Sequence, residues 1–105
     1  MRVYVLVRKD LAPVHQAVQA GHALAGWLLG CHGRYRTQGG YGTWENGTLV
    51  YLHVEDEAEL LRWHEQLTEA GAVLFREVDM AGQATALAVG PEARKLVRDL
   101  RLMAM

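Results

Sequence analysis

Residues 3–7, VYVLV, decide the fold. The run is continuously apolar, mixes β-branched with aromatic side chains, and is flanked by Arg2 on one side and Arg8, Lys9 and Asp10 on the other. Such a run reads as a short strand buried on both faces and central in a sheet. Next, Asp10 offers an acceptor for free amides, Pro13 suits a first helical turn, and an alanine-rich stretch continues to about Leu29, so a first helix is expected there. Gly21 and Gly26 lower its propensity but let it sit close to a sheet.

Residues 30–47 change abruptly to Gly, Arg, Tyr, Thr and Asn around the segment RYRTQGGYGTWENG, and are expected to form a long loop, functional or mobile. Residues 48–54, TLVYLHV, alternate as a second strand does. Glu55 and Asp56 suit the start of a second helix, with helical spacing through Ala58, Leu60, Leu61, Trp63, His64 and Leu67 and a stop at Gly71. Residues 72–75 and 85–89 predict two more strands, separated by a polar connection containing Asp79, Gly82 and Gln83. Gly90-Pro91 then opens a third helix over about residues 92–100. The order β-α-β-α-β-β-α predicts an α/β fold, a mixed sheet with helices on both faces. A length of 105 residues suits a single domain spanning 1–105.

The formal net charge of -1 gives no global basic field, so any polyanion must be held by local charge. One cysteine, Cys31, cannot close an intramolecular disulfide, and no signal-peptide layout precedes the first strand, so a reducing cytoplasm is expected. Charge, His or Gly interrupts every apolar run before it could cross a bilayer. The apolar C-terminal residues 102–105 are expected to pack on the sheet or across a dimer.

His15, Gln19 and His22 fall at i, i+4 and i+7 of the first helix and share one stripe. Two imidazoles and an amide offer a general base near neutral pH and a hydrogen-bonding group for a carbonyl or a ribose hydroxyl. The competing reading is a plain polar helix face, with His22 satisfied by a buried backbone carbonyl. Zinc is disfavoured, because His15 and His22 stand about two turns apart at roughly 1.5 Å per residue with no usual ligand between them. No base is fixed beside Cys31, and no GxSxG, Walker loop or strand-following GxGxxG occurs. Arg34, Tyr35, Arg36, Tyr41 and Trp44 mix cations with aromatic planes, which suits phosphates and stacked bases. Alternatively, the loop is simply solvated and Trp44 packs back on the core. Arg8 and Lys9 would extend the cationic patch.

The strand VYVLVRKDL, the helix segment AVQAGHA, then WENGTLVYLHVEDEAELL and ATALAVGP resemble, in order and spacing, the peptidyl-tRNA hydrolase 2 family. The most specific piece is Q-x-x-H-A, ending in His22 and Ala23, supported by Trp44, Gly47, Asp56-Glu57 and Gly90-Pro91. The resemblance implies a three-layer α/β/α domain with a four-stranded mixed sheet, often dimeric, that cleaves the ester joining a peptide to tRNA without metal or cofactor. It implies a catalytic set of Gln19, His22, Asp79 and Thr85, with His15 at the position of the family's lysine and Val14 where glycine is usual. It also implies cationic contacts to the tRNA acceptor end, for which Arg8, Lys9, Arg34, Arg36, Trp44 and Gln83 are the candidates. Residues 78–85, VDMAGQAT, replace a longer D-A-G-R-T-Q-x-x-P-G segment, with Asp79, Gln83 and Thr85 standing in for its polar groups. Two readings stay open: a hydrolase in which His15 replaces lysine, and a relative that has lost hydrolysis and binds tRNA, a nucleotide or a protein.

Overall fold

The computed structural model describes residues 1–103. In chain order the elements are β1 (Arg2–Arg8), α1 (Pro13–Cys31), β2 (Arg34–Thr37), β3 (Gly40–Thr43), β4 (Thr48–Val54), α2 (Glu57–Leu67), β5 (Val73–Glu77), β6 (Gln83–Val89) and α3 (Arg94–Val97). Single 3-10 turns stand at Thr68–Ala70, Val78–Met80 and Pro91–Ala93. The main sheet runs β4-β1-β6-β5, with β1 parallel to β4 and antiparallel to β6, and β5 antiparallel to β6. The mixed four-stranded sheet is the one expected, and β1 is an inner strand of it.

That position explains the unbroken apolar run. Val3, Val5 and Val7 pack with Ala20, Ala23 and Trp27 of α1, while Tyr4 and Leu6 pack on the other face with Leu60 and Leu67 of α2 and Val97 of α3. Small residues at both surfaces, Ala20 and Ala23 on α1 and Ala86 and Ala88 on β6, let the helix lie close to the sheet. Asp56 caps α2, its carboxylate accepting from the Glu59 amide at 2.9 Å.

Residues 30–47 depart from the expected loop. α1 runs on to Cys31 and ends at His32, whose amide donates the last helical bond to the Leu28 carbonyl and whose left-handed φ of 54° turns the chain out of the helix. β2 and β3 then form an antiparallel hairpin in which Tyr35 pairs with Gly42. The Tyr35 ring folds over Gly42, where a Cβ would lie 2.6 Å from the ring. Asp10 does not cap α1: the cap position is Ala12, with no side-chain bond, and the Asp10 carboxylate is taken by Arg8. The third helix is also shorter than expected, because Pro91–Ala93 forms a 3-10 turn and the α-helix covers only Arg94–Val97. The chain then turns back along the outer edge of β4, the His53 amide donating to the Arg101 carbonyl and the Met103 amide to that of Tyr51. Residues 104–105 of the apolar C-terminus lie outside the described residues.

Replacing Gly42 by alanine should destabilise the fold by about 1–3 kcal/mol, the range for overpacking a filled site. Gly39→Ala, whose Cβ meets open space, should change little. Urea denaturation of the two variants checks this pair.

Candidate active site

An irregularity in β6 creates the polar cluster on the α1 side of the sheet. Phe75 pairs with Ala86 and Arg76 with Ala84, so Thr85 is an extra residue, the hallmark of a β-bulge. Strict alternation from Leu87 would point Thr85 toward α2. Instead its hydroxyl donates to Gln19 Oε1 of α1 at 2.8 Å, and the Ala84 amide donates to Glu57 Oε2 on the opposite side at 2.7 Å. On β5 the regular alternation sends Glu77 to the same side as Phe75, and Gln19 Nε2 donates to Glu77 Oε1 at 3.0 Å. A carboxylate only accepts, which fixes the orientation of the Gln19 amide. Gln19 is 3% exposed and Thr85 fully buried.

His22, three residues beyond Gln19, is exposed and stacks on Phe75 with ring centroids 4.6 Å apart and planes at 12°. A buried backbone carbonyl is therefore not what holds it. The Gln19 hydrogen bond is the main reason that the Glu77 carboxyl sits below the usual carboxylate range; the amide of Asp79 and the charge of His22 lower it further. The Asp79 side chain is exposed, and this residue meets the cluster through its backbone amide, 3.3 Å from Glu77 Oε2. His15 is exposed one turn before Gln19 and makes no side-chain hydrogen bond among the described residues. The structure thus brings Gln19, Thr85 and His22 together and adds Glu77, which sequence reasoning missed; its position two residues after Phe75, on the same strand face, was the available signal.

A family model for peptidyl-tRNA hydrolase PTH2 matches residues 1–102. The chain belongs to this family. Among solved structures it is similar to a protein of unknown function from Agrobacterium tumefaciens strain C58, with a TM-score of 0.66 at 14% identity over 98% of this chain and 97% of that one. This likeness shows the shared fold. No curated protein matches the sequence significantly.

In this PTH2 chain the residues expected on the RNA side divide into held and open groups. Arg8 is 7% exposed and its guanidinium is engaged: Nε and Nη2 donate to the Asp10 carboxylate at 2.9 Å each, and Nη1 to Gln83 Oε1 at 2.9 Å and the Ala84 carbonyl at 3.1 Å. Lys9 forms an exposed ion pair with Glu55 at 3.2 Å. Trp44, 7% exposed, sets its ring edge against Trp27 and donates to the Thr48 carbonyl at 3.3 Å, so it packs on the core and does not stand free in a loop. Arg34 and Arg36 remain exposed on the hairpin; Arg34 lies 4.7 Å over the Tyr41 ring. No helix among the described residues is long and apolar enough to cross a membrane.

A second polar pair, absent from the sequence reading, joins α1 to β4. Gln16 Nε2 donates to the carbonyls of Leu11 and Lys9, which leaves Oε1 facing His53 Nε2 at 2.6 Å, so that nitrogen carries the proton. Burial pushes the His53 imidazole below the ordinary histidine value, and Lys9 adds to this. The folded protein therefore binds fewer protons than the unfolded chain as pH passes through the histidine range. The resulting stability is full above the unfolded value of about 6.5 and is lost as pH falls through the lower folded value. Urea midpoints from pH 7.5 to 5 should drop in the wild type and drop less in His53→Gln.

Proposed function

We propose that this chain hydrolyses the ester joining the peptide to tRNA in peptidyl-tRNA, with His22 as general base. The observation that carries this reading is the relay from buried Thr85 through buried Gln19 to the half-exposed Glu77, together with an exposed imidazole stacked on Phe75. The Gln19 bond and the Asp79 amide hold the Glu77 carboxyl below the usual carboxylate range, and a carboxylate on this face complements positive charge that develops on a general base in the transition state. Water attacks the ester carbonyl carbon as His22 removes its proton. The bond to the ribose oxygen then breaks, and that oxygen takes the proton back from His22. Gln19 and Thr85 act as positioning residues, because both are buried and act through Glu77. The exposed Arg34 and Arg36 supply phosphate contacts, and His15 stands where the family resemblance implies a lysine, in a position to meet the acceptor end.

A binding-only relative is the second reading, favoured by the place of His15: it is exposed, outside the relay, and less cationic than lysine at neutral pH. Release of free tRNA from an N-acetylaminoacyl-tRNA separates the two. On the hydrolase reading His22→Ala lowers kcat by about 100-fold or more, the ordinary contribution of a general base, with tRNA binding retained and partial recovery on adding free imidazole. Equal, background-level release by the wild type and His22→Ala, with tRNA still bound by both, would establish the binding-only reading.

A further inference from the structure

On the sheet face opposite Gln19 and His22 lies a cleft of about 550 Å³ between the start of β1, β4, α3 and the C-terminal segment. Its floor is aliphatic, formed by Val50, Leu52, Val97, Leu100 and Leu102, and its rim carries Arg2, Arg94, Lys95 and Arg98. All four cations are exposed, none is in an ion pair among the described residues, and no carboxylate lines the cleft. Four unpaired cations around one depression are notable in a chain of net charge -1. Tyr4 adds an independent observation. It is only 4% exposed, lines this cleft and the adjoining one of about 220 Å³, and its hydroxyl makes no hydrogen bond among the described residues. No enclosed side-chain polar atom among the described residues lacks a partner, so this hydroxyl keeps contact with solvent and is open to a ligand in the cleft.

We propose that this cleft binds a nucleoside monophosphate, independently of the hydrolytic site. The phosphate meets the guanidinium groups of Arg2, Arg94 and Arg98, whose planar forks suit two phosphate oxygens at once. The ring system lies on the aliphatic floor, and the Tyr4 hydroxyl bonds a sugar or base oxygen or nitrogen. The volume lies within the range of small-molecule sites, about 300–1,000 Å³. Two short connected depressions suit a compact ligand with one charged end better than a long acyl chain, which needs an extended apolar channel.

Backbone amide NMR with AMP, adenosine and inorganic phosphate tests the assignment. AMP should shift resonances of residues 2–4, 48–52 and 94–102, and should bind more tightly than adenosine or phosphate, since each fragment uses only part of the cleft. Arg98→Glu and Arg94→Glu, both at exposed positions, should each weaken AMP at least tenfold, while Arg62→Glu on α2 leaves it unchanged. Tyr4→Phe should weaken AMP several-fold without lowering the unfolding midpoint, because the hydroxyl gives up no bond within the protein. No shift at millimolar AMP, shifts centred elsewhere, or binding here of a 5′-phosphorylated RNA oligomer but not of AMP would overturn the proposal. None of these readouts depends on ester hydrolysis, so loss of the hydrolase reading would leave this one standing.

Discussion

An amide buried between a helix and a sheet holds the α1 side of this structure together. Gln19 lies in an interface otherwise made of alanine, valine and tryptophan, where an unpaired amide would cost about 1–3 kcal/mol for each polar group left without a partner. Both ends are satisfied, one by Thr85 on β6 and the other by Glu77 on β5. Close packing of small side chains already seats α1 on the sheet, and two directed hydrogen bonds to different strands add to that registration. The axial position of α1 follows from them, and with it the seat of His22 on Phe75.

The bulge at Thr85 is what makes that arrangement possible. Without an extra residue in β6, the hydroxyl would face α2, and Gln19 Oε1 would lose its donor. The bulge detaches the Ala84 amide toward the other face, where Glu57, from the first turn of α2, accepts it. Glu57 also acts on Arg8, whose own donors reach Gln83 and Ala84 beside the same irregularity. One inserted residue thus recruits polar partners from both helical layers.

Much of this architecture could be read from side-chain pattern, and what could not has identifiable causes. VYVLV announced an inner strand because both its faces are covered, and the alanine-rich segment announced a closely seated helix. The hairpin of β2 and β3 stayed hidden because it buries only Tyr35 among its side chains, so polar residues surround one aromatic and no apolar alternation is left to detect. Asp10 suited a cap by residue type, but the two donors of Arg8 outcompete a helix amide for it. The stripe of His15, Gln19 and His22 was legible from helical spacing, since one face of a helix is a geometric fact. Its partners were not. Which carboxylate Gln19 meets depends on how β5 and β6 register, and a bulge leaves no mark in composition; attention therefore went to Asp79, while Glu77 is the group in contact.

On the proposed reading, the same geometry bears on how hydrolysis would proceed without the lysine that the family resemblance implies at position 15. A lysine would bring a permanent charge to the helix face, whereas His15 brings one only when protonated. On the proposed reading, the charge that accompanies proton transfer lies elsewhere, on Glu77, whose carboxyl Gln19 and the Asp79 amide hold below the usual carboxylate range. Under the proposed function, a change at residue 15 falls on phosphate contact and leaves His22 on Phe75 and the Thr85-Gln19-Glu77 chain of bonds in place. Chemistry and RNA grip would then be separable on this scaffold, because they fall on different elements: the relay on α1, β5 and β6, and the open cations on the β2-β3 hairpin.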